Sequence, residues 1–146
     1  MNTQAPASEA PIRASMDAWI EAVHAKDLDK LMALYAPDVL VFDLVAQLSC
    51  SGAENYRQHY AGWFSAWRGP IRCERRELSI TAGEDIAFAC CLTHNSGVTA
   101  GGQKMDHWVR VTIGFRKIDG AWKVTHEHVS APFDMDTMQA CLHLKP

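Results

Sequence analysis

Apolar positions recur at helical spacing in the first part of the chain and at alternating spacing in the second. Ile12, Met16, Trp19, Ile20 and Val23 share one helical stripe, with Pro11 near its first turn. Asp27 reads as the N-cap of a shorter helix carrying Leu28, Leu31, Leu34 and Tyr35, which Pro37 stops. Residues 39–42 form a β-prone run closing at Asp43, and 44–50 follow no clear period. Ser51 and Glu54 match a capping box for a third helix. Its aromatic stripe is Tyr56, Tyr60, Trp63, Phe64 and Trp67, and Gly69-Pro70 would end it. That stripe reads as core that also borders a cavity, whereas His59 and His107 read as surface or helix-flank residues.

After Pro70 the period becomes two. Residues 71–80 are charged and suit a sheet edge. A turn over 81–85 precedes the alternation Ile86, Phe88, Cys90, Leu92, His94 against Ala87, Ala89, Cys91, Thr93. Residues 95–102 read as a glycine-rich loop, and a long strand follows to Lys117. Asp119-Gly120 is a strong hairpin signal. The last strand then places Trp122, Val124, His126, His128 and Ser130 on one face, with Lys123, Thr125, Glu127 and Val129 on the other, until Pro132 ends it. Counting outward from the turn sets Phe115 opposite Val124, Ile113 opposite His126 and Val111 opposite His128. On the other face, Arg110 becomes a diagonal neighbour of Glu127, a cross-strand ion pair. The register therefore predicts a cavity lined by His126, His128 and Ser130 with Val111 and Ile113.

Helices followed by an antiparallel meander are the pattern of an α+β domain. The expected architecture is three N-terminal helices on a strongly curved antiparallel sheet, forming a cone with a central pocket. Residues 1–10 read as a disordered lead without a secretory signal, and 11–146 as a single domain.

Composition narrows the function classes. The 146 residues carry a net charge of −3, with ordinary apolar (48%) and charged (21%) content, so nothing favours nucleic acid or an anionic membrane. The five cysteines include no C-x-x-C pair, and adjacent Cys90 and Cys91 should face opposite ways, which suits reduced thiols in a cytoplasmic protein.

Two segments resemble a known family. DLDKLMALYAPDVLVFD at 27–43 is similar to the start of nuclear transport factor 2-like proteins, in particular the ketosteroid isomerase and SnoaL-like branches. FRKIDGAWKVTHEHVSAP at 115–132 resembles the SnoaL-like ending. The resemblance implies an α+β cone with a deep pocket, a homodimer and a single SnoaL-like domain over 11–146. In ketosteroid isomerase a carboxylate after the first strand is the base, and a tyrosine and a protonated aspartic acid hold the enolate oxygen. Asp43 matches the base; Trp19 stands in the tyrosine's place, and the second acid falls near Ile113.

Asp43, His126 and His128 are thus the candidate catalytic groups, and Trp19, Tyr56, Tyr60, Trp63, Val111, Ile113 and Ser130 the candidate substrate contacts. The expected function is acid–base proton transfer beside a carbonyl, of the isomerase, cyclase or hydratase type, on a small apolar or carbonyl-containing molecule and without a cofactor. His-x-His is compatible with metal ligation with Asp43 or His94, but no further ligand spacing accompanies it. Two other classes remain open: a non-catalytic binding protein for a hydrophobic metabolite, and an oligomerisation module pairing through its outer sheet face.

Overall fold

The computed structural model describes residues 9–45 and 47–146; most of the expected lead lies outside these residues. Helix α1 (Glu9–Ala25) begins within that expected lead, and α2 (Leu28–Met32) follows it. Asp27 caps α2 as its side chain implies: the carboxylate accepts from the Lys30 N–H at 3.0 Å. The helix stops before Tyr35, because Tyr35 already begins strand β1 (Tyr35–Phe42). A two-residue strand β2 (Cys50–Ser51) precedes α3 (Ala53–Ser65).

The expected capping box is not formed. Ser51 pairs with Leu40 in the sheet, and Gly52, at φ +88°, becomes the N-cap with no side-chain cap bond. Likewise α3 ends at Ser65, ahead of Gly69-Pro70, and Trp67 opens β3 (Trp67–Ala82). Strand β4 (Ile86–Thr99) absorbs most of the predicted glycine-rich loop. Strands β5 (Lys104–Ile118) and β6 (Ala121–Ser130) meet at the predicted turn, where Asp119 and Gly120 both take positive φ. A small hairpin, β7 (Phe133–Asp134) with β8 (Gln139–Ala140), completes the described chain.

The six-stranded sheet runs β2-β1-β6-β5-β4-β3. It is mixed rather than antiparallel, because β1 lies parallel to β6 while every other pair is antiparallel. The expected charged edge is present as β3. Ladder irregularities in β1/β6, β3/β4 and β5/β6 bend the long strands, as extra residues in a ladder do, and leave the sheet open rather than closed.

Ile12, Val23, Leu31, Val39, Val41 and Ile71 have no solvent exposure, and each such side chain contributes about 1.5–3 kcal/mol by burial. α1 is tied across β3, where the Arg75 guanidinium donates to Asp17 Oδ1 (3.0 Å) and to the Met16 carbonyl. On β4 the buried series is Ala87, Ala89, Cys91, Thr93 and Asn95, while Ile86 and Phe88 face outward. Among the described residues no helix is long and apolar enough to cross a membrane.

Candidate functional site

The chemistry collects where β1 ends. Alternation from Val39 and Val41, both buried, continues inward to Asp43, which lines a cavity between sheet and helices. The Leu44 N–H donates to Asp43 Oδ1 at 2.6 Å. Its other oxygen, Oδ2, accepts from the Tyr56 hydroxyl at 3.2 Å and lies 3.3 Å from His59 Nε2. Tyr56, His59 and Tyr60 stand at i, i+3 and i+4 on α3, so one helix face presents all three.

The second carboxylate is Glu127. Phe115 pairs with Val124 as the turn predicts, but Gly114 pairs with His126, so Thr125 is an extra residue in β6. This bulge reverses the faces downstream of it. Glu127 and Val129 turn into the cavity, opposite Ile113 and Val111; His126 and His128 turn out, opposite Gly114 and Thr112. Glu127, 4% exposed, is held by aromatic hydroxyls. Tyr35 donates to its Oε2 at 2.6 Å, and the Tyr56 hydroxyl reaches its Oε1 at 3.5 Å. Trp19 Nε1 donates to the Tyr60 hydroxyl (2.9 Å), which lies 2.8 Å from that of Tyr35. Tyr35 gives its one hydroxyl proton to Glu127 and an indole N–H can only donate, so the protons point one way: Trp19 to Tyr60 to Tyr35 to Glu127.

Burial pushes the Glu127 carboxyl up to about 7, aided by the Asp43 charge and opposed by the bonds from Tyr35 and Tyr56. Burial, and then the Glu127 charge, also raise Tyr35, Tyr56 and Tyr60 well above the usual tyrosine range. All three therefore stay neutral donors. Tyr56 bridges two carboxylates of unlike character, one buried and titrating near neutrality, the other open to the cavity.

The cavity measures about 130 Å³. That is close to the roughly 150 Å³ apolar void known to accept a benzene ring. Of the candidates from the sequence, Asp43, Trp19, Tyr56, Tyr60, Trp63, Val111 and Ile113 line it. His126, His128 and Ser130 do not, for the single reason of the bulge. His126 Nδ1 lies 2.7 Å from the Leu40 carbonyl, and both imidazoles stand edge-on to Phe42 on the outer face. Ser130 accepts from Arg110 Nε at 3.1 Å, so the expected Arg110–Glu127 pair does not exist. His94 also faces outward, against Trp108 and 2.6 Å from Asp106.

Six polar or charged lining residues were not among the candidates from the sequence: Glu127, His59, His107, Arg75, Thr93 and Asn95. His59 lay within reach, since it follows Tyr56 by one helical step. Thr93 and Asn95 continue the Ala87–Ala89–Cys91 series. Glu127 carried no local signal. Among the described residues no group of three or more His, Cys, Asp and Glu side chains is placed to hold a metal ion. Cys91 lines the cavity as a thiol raised by burial, and residues 133–146 stay outside it.

Comparison with known proteins places this geometry. The SnoaL-like domain matches residues 12–134. A nuclear transport factor 2-like protein of unknown function from Pseudomonas putida is 34% identical over 96% of this chain and 97% of its own, with a TM-score of 0.88. A candidate dehydratase of the same family from Streptomyces avermitilis is 17% identical over 84% and 95%, at a TM-score of 0.75. A ketosteroid isomerase-like protein from Erwinia carotovora is 20% identical over 83% and 93%, at 0.71. The last two share the fold with this chain. No functionally curated protein matches it.

Proposed function

The chain belongs to the SnoaL-like domain family, and from that premise we propose that its cavity is the active site of a small-molecule enzyme moving protons beside a carbonyl. Isomerisation, cyclisation and hydration or dehydration all share that step. The observation that carries the reading is the pair of cavity-facing carboxyls, Asp43 and Glu127, bridged by the Tyr56 hydroxyl. Carboxyls set in such different surroundings divide into an acid and a base.

Asp43, steadied by Leu44, Tyr56 and His59, acts as the base and removes a proton from the carbon next to the carbonyl. The electron pair moves into the carbonyl, and its oxygen takes a proton from Glu127 Oε1 to give the enol. Returning the Asp43 proton to another carbon of the conjugated system completes an isomerisation. Loss of a β-hydroxyl as water, with a proton supplied through His59, completes a dehydration. Tyr35 then stabilises the Glu127 carboxylate until it is reprotonated.

The test is hydrogen–deuterium exchange at the α-carbon of a panel of cyclic ketones and enones in D₂O, read by NMR. Asp43→Asn should lower exchange by about 10²–10⁴-fold, the usual worth of a general base. Exchange unchanged in Asp43→Asn would sink the mechanism. The apolar wall of Val109, Val111, Ile113 and Val129 favours a second reading, non-catalytic binding of a hydrophobic metabolite. That reading requires a ligand retained through purification, with no exchange in the wild type.

Assembly belongs to the proposal as well. The outer sheet face, left uncovered by the helices, carries Leu40, Phe88 and Ile86 at 38%, 49% and 69% exposure. A homodimer through this face would bury them.

A further inference from the structure

The proposed reaction uses one end of the cavity, and the other end is built from different chemistry. Across β3, β4 and β5 the inward positions pair as Arg75–Thr93–Val109 and Cys73–Asn95–His107. Side chains at directly opposed positions stand about 4.5–5.5 Å apart at Cβ, so Arg75, Thr93, Asn95 and His107 form one patch. All four line the cavity.

Their hydrogen bonding is incomplete on the cavity side. Burial pushes the Cys73 thiol up to about 12, so it stays protonated and donates to Asn95 Oδ1 at 3.1 Å. That bond turns the Asn95 NH₂ away from Cys73, and no acceptor among the described residues meets it. His107 Nδ1 is the buried side-chain polar atom left without a partner among the described residues. Burial, with the nearby His94, holds the His107 ring below the usual histidine range and therefore neutral, with one donor and one acceptor nitrogen. Arg75, 10% exposed at its side chain, brings a positive charge paired directly at 3.0 Å with Asp17, whose 62% exposure lets solvent weaken the pairing.

The two ends differ in sign. Asp43 and Glu127 stand level with Val111 and Ile113 of β5, four to six residues from His107. That is about 13–20 Å along the strand from His107, but only about 7–13 Å from Val109, which is level with Arg75 and Thr93. Val109, Val111 and Ile113 make the apolar floor between them. An anionic group is repelled at the carboxylate end and meets a cation and unused donors at the other, which fixes a substrate's direction.

We propose that Arg75, Thr93, Asn95 and His107 form a carboxylate subsite, and that the substrate is a one-ring-sized oxo acid whose carboxylate lies there while its reacting carbonyl faces Asp43 and Glu127. The substrate class rests on the reading of the cavity as an active site; the subsite itself is tested without turnover.

Trp19 and Trp63 line the cavity and report occupancy by fluorescence. Full-length protein is titrated with benzoate and with benzamide, which match in shape and differ in charge. Benzoate should bind about tenfold or more tighter than benzamide, as a charge-assisted pair implies. Asn95→Asp should cost benzoate about tenfold and leave benzamide within about threefold, while Asp43→Asn and Glu127→Gln should not weaken benzoate. Should Asn95→Asp not fold, Thr93→Val and the wild-type benzoate-to-benzamide ratio still decide. Equal affinity for the two probes, no binding of either at millimolar concentration, or loss of benzoate in Asp43→Asn would each overturn the subsite. Failure of the proton-transfer reading leaves the benzoate preference standing, and loss of that preference leaves the Asp43 dependence of exchange standing, so the two are separable.

Discussion

At the scale of single residues, Glu127 ties the stability of the protein to its chemistry. Its carboxyl is raised from 4.5 to about 7 in the folded state, so between those values the native chain holds a proton that the unfolded chain releases. The stabilisation is complete below pH 4.5 and is lost as pH rises through about 7; the shift corresponds to roughly 3 kcal/mol. Glu127→Gln keeps a neutral side chain for Tyr35 and Tyr56 and removes the titration. The stability difference between wild type and Glu127→Gln, from urea melts at successive pH values, should therefore move against the wild type by about that amount between pH 4.5 and 7.5. A constant difference would show that Glu127 ionises in the fold as it does in water. The same variant should lose activity and the inflection near pH 7 in its rate profile. Tyr60→Phe probes the donor chain: it strands the Trp19 N–H and removes the donor to Tyr35, at a cost of about 1–3 kcal/mol in thermal or urea melts.

At the scale of elements, the legible features were those set by neighbours in sequence. Asp27 caps α2 because a short acceptor precedes a helical run, and Asp119-Gly120 turns because both residues tolerate positive φ. Asp43 was legible too, from its place at the end of a β-prone run and from the family resemblance. What escaped was decided by partners distant in sequence. Ser51 had the chemistry of a cap but was taken by its pairing with Leu40, and Tyr35 joined a strand because Val124 pairs with it. Thr125 bulges where β5 and β6 accommodate each other, and no local pattern in β6 distinguishes a bulge from an unbroken strand. That one residue exchanged His126 and His128 for Glu127 as the cavity-facing set.

Two predictions belong to this scale. Asp27→Ala should destabilise by about 1 kcal/mol, whereas Ser51→Ala should stay within about 0.5 kcal/mol, because its hydroxyl caps nothing; equal losses in urea melts would contradict the assignment. Deleting Thr125 leaves Val124 opposite Phe115 and His126 opposite Gly114 in plain alternation. The variant should melt earlier for want of the bend, yet keep the pH-dependent stability contributed by Glu127. Loss of that dependence in a folded variant would mean that the bulge itself aims the carboxylate.

At the scale of the whole molecule, the helices cover one side of the sheet and leave the other bare. On that bare side a row of directly paired positions, Phe88–Gly114–His126–Leu40, crosses four strands with glycine leaving a shallow dip. Phe88→Glu should convert a dimer into a monomer in sedimentation at micromolar concentration without altering the melting of the isolated chain by more than about 1 kcal/mol. A wild type that sediments as a monomer would remove the dimer from the proposal.

The parallel contact of β1 with β6 also dictates an order of assembly. Tyr35 and the Glu127 that accepts its proton are 92 positions apart, and every intervening strand of the main sheet is made between them. On the ribosome, the tyrosine hydroxyls of β1 and α3 emerge long before their carboxylate partner. The helices and the β3–β4 and β4–β5 hairpins can form from local contacts, while closing so long a loop is entropically slow. The cavity is therefore the last part of the protein to come into being, sealed by the strand that also delivers Glu127.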